Sequence, residues 1–242
     1  PDTWTIDPEK VREAFTPRTK ALIPVHLYGN LCDMDALLEI CGERGITIVE
    51  DATEALGGAW RGRPAGTMGE FGCFSFNGNK LITTGGGGMV TARSPERAAR
   101  IKFLVNQARD ASKGYFHPEL GYNYRMTNLE AALGLAQMER IDEFLQKKRA
   151  FARAYREALG DIPGVALQQE TPGECSAWWL PSITVGHILI PVLQEALRER
   201  GVPTRRLFSP LHTYPYLKHY APFPCPNAER IYENGLNLPA ST

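Results

Sequence analysis

The run from Cys73 to Met89 restricts the fold and the chemistry of this chain more than any other part of the sequence. Aromatic and small residues alternate at its start, which is the pattern of a half-buried strand, and a second apolar stretch begins at Met89. Between them lie one lysine, Lys80, and the four glycines from Gly85 to Gly88. Glycine adopts positive φ readily and lets a ligand or a second chain approach the backbone closely. The run therefore predicts two strands joined by a tight turn that carries Lys80.

Lys80 is the first candidate for a reactive group. A lysine between a buried strand and a glycine run can be desolvated, and desolvation makes its amine a nucleophile for carbonyl carbon. An ordinary solvated lysine in a turn is the alternative. A nucleotide-binding P-loop fits less well, because that motif places its glycines before the lysine and Ser or Thr after it. Here the glycines follow the lysine, and Asn79 and Leu81 flank it.

Two acidic residues upstream of Lys80 are the next candidates for a functional site. The β-branched stretch from Ile46 to Val49 predicts a short buried strand, and Glu50 and Asp51 follow at its carboxyl end. Open α/β sheets bind ligands at the carboxyl ends of their strands. A carboxylate there and a lysine that binds an aldehyde are what pyridoxal 5'-phosphate requires, because the carboxylate keeps the pyridine nitrogen protonated.

Further stretches occur in the order and at the spacing of one family. On their basis the chain resembles the DegT/DnrJ/EryC1/StrS sugar aminotransferases, which have the aspartate aminotransferase-like fold. The phrases at 51–57, 76–80 and 106–110 are similar to the branch that makes 4-amino sugars on the way to legionaminic acid. The stretches that carry the family resemblance are Val25–Gly29, Glu50–Ala55, Gly72–Phe76, Lys80 with Thr83–Gly88, and Gly121–Met126.

The resemblance implies a fold class and a domain division. The fold is α/β, pyridoxal phosphate-dependent transferase fold type I, with a mainly parallel sheet flanked by helices and a small C-terminal α+β domain. Residues 1–150 would form the large cofactor-binding domain and residues 151–242 the small domain. The resemblance also implies that further residues precede Pro1, including the phosphate loop and the aromatic that stacks on the cofactor ring, and that a terminal helix follows Thr242.

The resemblance assigns roles to five residues of this chain. Lys80 would bind the cofactor aldehyde covalently and serve as the catalytic acid and base. Asp51 would pair with the pyridine nitrogen, and Ser75 would hold the phosphate. Glu54 would lie near the cofactor, although many members have glutamine at this position. Asn123 would reach across a homodimer interface to the partner's phosphate, which makes each active site composite.

Three residues are candidates for substrate contacts. His26 ends a predicted strand, where a satisfied packing histidine is the alternative. Tyr115 and His117 lie in an irregular stretch at 108–120, and aromatic loops can close over a substrate. A packed surface loop is the alternative reading of that stretch.

Periodicity and capping residues predict the remaining elements. A strand at 20–27, a helix from Asp35 to Arg44 and the strand at 46–49 form a βαβ unit, so the sheet should be parallel and buried on both faces. Ser94 should cap a helix that runs to about Gln107. Thr127 and Glu130 form a capping box before a long helix that continues, with a possible bend, through Tyr155 toward Leu159. Its apolar stripe is Leu129, Leu133, Ala136, Ile141 and Leu145.

The C-terminal part has a different pattern. An apolar strand at 178–185, a helix at 191–200 and a strand beginning near 201 predict the small α+β domain. The stretch Ala221–Asn227, rich in proline, predicts irregular surface.

Composition excludes several function classes. The formal net charge of the 242 residues is zero, which removes the electrostatic case for binding nucleic acid or an acidic membrane. The five cysteines lack a C-x-x-C pair, and we interpret them as reduced, mostly buried thiols without a metal site. No apolar run approaches the length of a membrane span, so we expect a cytoplasmic protein.

The resemblance implies transamination of a nucleotide-linked 4-keto-6-deoxy sugar to the 4-amino sugar. The expected substrate is a UDP- or GDP-linked 2-acetamido sugar. L-glutamate is the expected donor, again from the resemblance. The alternatives are a 3-aminotransferase of the same family and a truncated, non-catalytic chain. A sugar 3-dehydratase uses the same cofactor but has histidine in place of the lysine, so Lys80 argues against it.

Overall fold

The computed structural model describes residues 2–186, 188–220 and 223–241. The strands in these residues form two four-stranded sheets and one three-stranded sheet. The helices are α1 (Pro8–Ala14), α2 (Met34–Gly42), α3 (Pro95–Val105), α4 (Asn128–Met138), α5 (Ile141–Leu159), α6 (Ile190–Glu199) and α7 (Pro226–Asn234). The strands are β1 (Ala21–Leu22), β2 (Thr47–Asp51), β3 (Ala59–Trp60), β4 (Arg63–Pro64), β5 (Phe71–Ser75), β6 (Gly88–Ala92), β7 (Val165–Leu167), β8 (Glu174–Cys175), β9 (Ser182–Val185), β10 (Arg205–Arg206) and β11 (Gly235–Asn237).

The first sheet has the strand order β1-β2-β5-β6 and contains the predicted βαβ unit. Strands β1, β2 and β5 are parallel, and α2 connects β1 to β2. The helix begins where Asp33 accepts a hydrogen bond from the amide of Ala36, so a side-chain cap satisfies one of its free amides. Its buried residues include Met34, Leu37 and Cys41, which pack against Ile48 of β2 in one core cluster. The predicted fold class is confirmed at this level.

Strand β6 departs from the prediction of a parallel sheet buried on both faces. It pairs antiparallel with β5, because the loop at 76–87 returns the chain to the edge of the same strand. Met89 and Val90 of β6 are 56% and 46% exposed. Within the described part of the chain nothing covers these side chains, and the turn between β5 and β6 is the one that carries Lys80.

The second sheet is antiparallel and has the strand order β10-β11-β9-β7. Its core contains Ile183, Ile190 and Leu236, with Tyr155 and Leu159 of α5 packed against them. The first turns of α5 pack elsewhere, because Leu145 lies in a cluster with Leu81. Helix α5 thus spans the expected boundary at residue 150, and the division into domains at 1–150 and 151–242 stays a prediction.

Helix α4 confirms one prediction and corrects another. The capping box is present, since Thr127 and Glu130 exchange their side-chain and backbone hydrogen bonds. The predicted apolar stripe is not buried in α4, where Leu129 is 85% exposed and Leu133 is also exposed. The helix ends at Met138 and α5 runs from Ile141 to Leu159, so the predicted long helix is interrupted between the two and continues through Tyr155 as expected.

Two smaller predictions also need correction. The stretch predicted to be irregular, Ala221–Asn227, includes the start of α7 at Pro226, while Ala221 and Pro222 lie outside the described residues. Proline fits there because its missing amide is not needed at a helix start. The cysteines are less buried than expected: Cys32 and Cys41 are buried, Cys73 is half-buried, and Cys175 and Cys225 are exposed. Among the described residues no helix is long and apolar enough to cross a membrane.

Gly72 in β5 offers a test of how tightly the turn before the strand packs. A Cβ atom at this position would clash with the backbone of Gly66, including its carbonyl oxygen. We expect Gly72→Ala to lower the free energy of unfolding by about 3 kcal/mol, because backbone cannot give way as a flexible side chain can. Urea unfolding measures this loss. Gly78→Ala is the matched control, since a Cβ at Gly78 meets nothing within 4 Å; equal losses in both variants would contradict the packing argument.

Candidate active site

The amine of Lys80 lies between a carboxylate and an aromatic ring. Its Nζ atom is 3.6 Å from Oε1 of Glu54 and 4.0 Å from the centroid of the Trp179 ring. The Lys80 side chain is only 13% exposed, although the residues just before it are exposed. The amine is therefore largely shielded from water and has two close neighbours, while its reactivity stays a prediction.

The turn around Lys80 is shaped by glycine conformation and by a contact with α4. Gly85 and Gly87 have φ of +85° and +83°, so the run does supply the left-handed conformations that only glycine adopts freely. The side chain of Gln137 in α4 pairs with the backbone of Thr83 in both directions, at 3.0 Å and 2.6 Å. This pair fixes the glycine turn to the helix behind it.

Glu54 is buried and connects the lysine to Tyr28. Its Oε2 atom accepts a hydrogen bond from the backbone amide of Tyr28 at 2.7 Å, where Tyr28 has a positive φ of 58°. Burial raises the pKa of Glu54 above its usual value; the hydrogen bond from Tyr28 and the charge of Lys80 oppose this increase, and the charge of Asp51 adds to it. Glu54 therefore lies within electrostatic reach of both Lys80 and Asp51.

Asp51 ends β2, at the carboxyl end of a parallel strand, as predicted. Its side chain is half-buried and accepts a hydrogen bond from the amide of Thr53 at 3.2 Å. Its backbone is held by two further hydrogen bonds: its amide donates to Pro24 O at 2.9 Å, and its carbonyl accepts from the amide of His26 at 3.0 Å. This bonding fixes the position from which its carboxylate projects.

The structure does not support a substrate contact for His26. The ring is fully buried, its Nε2–H donates to Glu50 at 3.0 Å, and its Nδ1 accepts from the amide of Cys32 at 3.2 Å. Both ring nitrogens are therefore used inside the protein, which is the packing alternative.

The partner of His26, Glu50, is a buried carboxylate with several donors. Besides His26, the amides of Gly66, Met68 and Gly69 donate to its two oxygens at 2.8, 2.6 and 2.5 Å. Burial by itself would raise the pKa of Glu50, but the hydrogen bonds from His26 and the backbone amides outweigh it and lower that pKa below its usual value. Glu50 thus joins the end of β2 to the turn that precedes β5.

Ser75 and Asn123, the predicted phosphate residues, come from two separate segments of the chain. Ser75 ends β5 opposite Gly88, and its hydroxyl oxygen is 3.4 Å from the amide of Asn77. Asn123 is exposed and forms an isolated backbone bridge with Asn106. The same segment continues to Met126, whose methyl carbon would lie 3.5 Å from a Cβ placed on Gly87. Their phosphate contacts stay predictions.

Tyr115 and His117 lie apart from this cluster. Tyr115 is 87% exposed, with the guanidinium of Arg109 at 4.3 Å from its ring centroid. His117 is exposed, and its Nδ1–H donates to Gln107 O at 2.7 Å. In the part of the chain that the structure describes, no hydrogen bond or ring contact joins either side chain to Lys80, and their substrate role stays a prediction.

The sequence analysis did not predict two residues of the site, Tyr28 and Trp179. Tyr28 lies inside a stretch that carries the family resemblance, but nothing in the sequence indicated its hydrogen bond to Glu54. Trp179 comes from a position 100 residues beyond its hydrogen-bond partner Asn79, in a stretch predicted only as an apolar strand. No local pattern could have placed it beside Lys80.

Trp179 is supported from behind by a buried lysine on α5. The Nζ atom of Lys148 donates to Trp179 O at 3.0 Å and to Ala240 O at 2.5 Å. Burial lowers the pKa of Lys148 to about 8. Within the described residues no group of His, Cys, Asp and Glu side chains could hold a metal ion.

Comparison with known proteins decides the family. The model of the DegT/DnrJ/EryC1/StrS aminotransferase family matches residues 1–242. The chain belongs to this family. It is 38% identical over 248 residues to the GDP-perosamine synthase of Caulobacter vibrioides, an alignment that covers 99% of this chain and 66% of the relative.

Solved structures of aminotransferase-family proteins superpose closely on the chain. The aminotransferase TlmJ from Streptoalloteichus hindustanus matches with a TM-score of 0.92 and 30% identity, over 98% of this chain and 65% of that one. The E. coli GDP-4-keto-6-deoxy-D-mannose-3-dehydratase with bound hydrated PLP matches with a TM-score of 0.89 and 27% identity, over 99% and 67%. Fold type I and pyridoxal phosphate as the cofactor of this family are thereby confirmed. The chain spans about two thirds of the length of these relatives.

The hydrogen bonds of Glu50 can be tested by an isosteric change. We expect Glu50→Gln to lower the free energy of unfolding by about 3 kcal/mol, because an amide in place of the carboxylate leaves a buried donor facing other donors. Glu54→Gln is the control; its carboxylate accepts one backbone hydrogen bond, and its loss should stay near 1 kcal/mol.

The pH dependence of this difference has a definite sign. Because the pKa of Glu50 is lowered in the fold, the difference between the native protein and Glu50→Gln should be complete above the ordinary glutamate pKa of 4.5. It should shrink as the pH falls further through the lowered pKa. Urea unfolding over this range measures it, and a difference independent of pH would contradict the ionised, hydrogen-bonded Glu50.

Lys148 gives a dependence of the same sign at alkaline pH. Its folded pKa is about 8 against 10.5 ordinarily, so between these values the unfolded chain binds more protons than the folded one. The native protein should therefore gain stability relative to Lys148→Met as the pH rises through this window. Urea unfolding on both sides of the window tests this. Lys147→Met, which removes an exposed neighbouring lysine, should show no such trend.

Proposed function

We propose that this chain carries the lysine and carboxylates of a pyridoxal phosphate-dependent aminotransferase that acts on nucleotide-linked sugars. One observation carries the proposal: the amine of Lys80 is largely shielded from water, with a buried carboxylate at 3.6 Å on one side and an indole ring on the other. A surface lysine in an ordinary turn has neither neighbour. Family membership supports the same reaction class.

The residues present fit the cofactor. Bound pyridoxal phosphate would supply an electron sink for the bond changes at the donor's α-carbon. Asp51, at the carboxyl end of β2, is in position to hold a proton on the pyridine nitrogen. Lys80 offers the amine for the aldehyde, and Ser75 offers a hydroxyl for the phosphate at the end of the neighbouring strand β5. The carboxylate of Glu54 lies close to the amine of Lys80 and can interact with it.

Lys80 also has the position for proton transfer. After the donor has displaced it, its Nζ atom would take the proton that leaves the donor's α-carbon. Once protonated, the Lys80 ammonium would stay near the site, because the carboxylate of Glu54 attracts it. General acid–base transfer by a positioned side chain typically contributes 10²- to 10⁴-fold to the rate.

For the substrate we propose a nucleotide-linked 4-keto-6-deoxy sugar, aminated at C4 with L-glutamate as donor. The similarity to a GDP-perosamine synthase supports a GDP-linked sugar. The phrases at 51–57, 76–80 and 106–110 support the legionaminic acid branch and a 2-acetamido sugar, with UDP as the other candidate nucleotide. His26 is left out of the substrate site because its ring is buried; Tyr115 and His117 remain candidates.

We further propose a homodimer in which Asn123 completes the partner's site. The exposure of Asn123 supports this, as do the exposed apolar side chains of β6 and α4, including Met89 and Leu129. Exposed apolar side chains that lie together mark surfaces that another chain covers.

Two other reactions are separated from this one by their chemistry. A 3-aminotransferase would use the same residues on a 3-keto sugar, so product analysis with 3-keto and 4-keto substrates distinguishes it. The similarity to a 3-dehydratase favours that reaction class, but Lys80 opposes it, because the resemblance places histidine there.

Covalent trapping tests the proposal. The protein is mixed with pyridoxal phosphate, reduced with borohydride and digested, and the labelled lysines are identified by mass spectrometry. We expect the label mainly on Lys80, and transfer of ¹⁵N from labelled L-glutamate to a GDP-4-keto-6-deoxy sugar to fall by roughly 10³-fold or more in Lys80→Ala.

The control for this test is Lys147→Ala, which removes an exposed lysine on α5 and should change neither result. A label spread evenly over surface lysines, or full transfer by Lys80→Ala, would contradict the role of Lys80. A non-catalytic chain would bind no label selectively and transfer no nitrogen.

A further inference from the structure

We propose that Trp179 is a positioning residue for Lys80: its ring holds the free amine, and its N–H fixes the turn from which the lysine projects. This inference rests on the proposed function, because it concerns the same lysine. It adds a residue that comes from a distant part of the chain and that the sequence did not mark.

The first step is the contact between the amine and the ring. Nζ of Lys80 lies 4.0 Å from the centroid of the Trp179 ring, inside the distance at which an ammonium is attracted to an aromatic face. Tryptophan is the strongest aromatic partner for such a contact, and exclusion of water strengthens it. The limited exposure of Lys80 provides that exclusion.

The second step is the hydrogen bond from the ring to the turn. The indole N–H of Trp179 donates to Asn79 O at 2.7 Å, and Asn79 directly precedes Lys80. Asn77, Gly78 and Asn79 are all exposed, so little packing restrains this part of the turn. One side chain thus holds both the backbone before Lys80 and the amine at its end.

The third step is that Trp179 itself is held firmly. Its side chain is buried and stacks on Tyr28 and Phe208, with ring centroids 6.4 Å apart in each case. Its carbonyl oxygen accepts a hydrogen bond from the buried amine of Lys148 at 3.0 Å. Two stacked rings hold the indole and Lys148 holds its backbone, so Trp179 can position a flexible lysine.

Tyr28 connects the two groups that contact the Lys80 amine. The amide of Tyr28 binds the carboxylate of Glu54, which pairs with Lys80, and the ring of Tyr28 stacks on Trp179. The two groups that flank the amine therefore share one support. When the Lys80 amine is not bound to the cofactor, these contacts keep it at the indole face instead of in solvent. There it can receive or deliver a proton.

The test measures position and reactivity separately. Protein with lysine labelled with ¹³C at Cε is studied by NMR, and the Lys80 signal is assigned by its loss in Lys80→Arg. Protons above an indole face shift upfield, so the native Lys80 signal should lie upfield of the exposed lysines. The same samples are used for borohydride trapping with pyridoxal phosphate, which measures the rate of labelling at Lys80.

Three variants separate the contributions. In Trp179→Leu the upfield shift should vanish and the trapping rate at Lys80 should fall roughly tenfold. Trp179→Phe keeps a ring but loses the N–H, so a reduced shift and an intermediate rate are expected. Trp178→Phe is the matched control, since Trp178 is an adjacent buried indole that contacts Arg156 and not Lys80; shift and rate should stay native, whatever stability is lost in urea.

Each outcome bears on one claim. A Lys80 signal without an upfield shift in the native protein, or an unchanged shift and rate in both Trp179 variants, would overturn the positioning role. An equal change in Trp178→Phe would do so too, because it would indicate general loss of structure. If the native shift is present and responds to Trp179 while Lys80 is not trapped, the positioning role stands and the proposed function fails.

Discussion

The buried carboxylate of Glu50 is the interaction on which the rest of the site depends. It collects hydrogen bonds from His26 and from the amides of Gly66, Met68 and Gly69, so it joins the ends of two parallel strands to the turn that leads into β5. A buried carboxylate is tolerated only when its oxygens are satisfied, so the folded protein needs all of these segments around Glu50. Asp51 is the next residue, and its position follows from this arrangement.

A second set of contacts brings the C-terminal half of the chain to the same place. Trp179 and Phe208 stack around Tyr28, and Lys148 of α5 holds the backbone of Trp179. The strand pairings of the first sheet place Asp51 and the turn of Lys80 near each other, but the cover over the amine comes from residues beyond residue 175. The candidate site is therefore shared between the two parts of the chain.

Much of the fold followed from local pattern, and the exceptions have physical causes. The βαβ unit, the capping box at Thr127 and the Lys80 turn were predicted because hydrophobic period, caps and glycine conformation act over a few residues. The stripe of α4 was wrong as a buried surface, because periodicity shows which side chains share a face and not what covers that face. For a similar reason the sequence left two interpretations of His26 open, since a strand end can face a ligand or a buried carboxylate such as Glu50.

The sequence by itself determined the parallel unit and the glycine turn, and it marked Asp51 and Lys80 as the candidate reactive groups. These depend on backbone hydrogen bonding, on glycine at positive φ and on residues that stand at strand ends. Only the tertiary structure decided that Glu54 and Trp179 flank the amine, that Tyr28 supports both, and that the ring of His26 is turned inward. The physical reason is that burial and side-chain contact depend on packing between residues 100 or more positions apart, which no local pattern encodes.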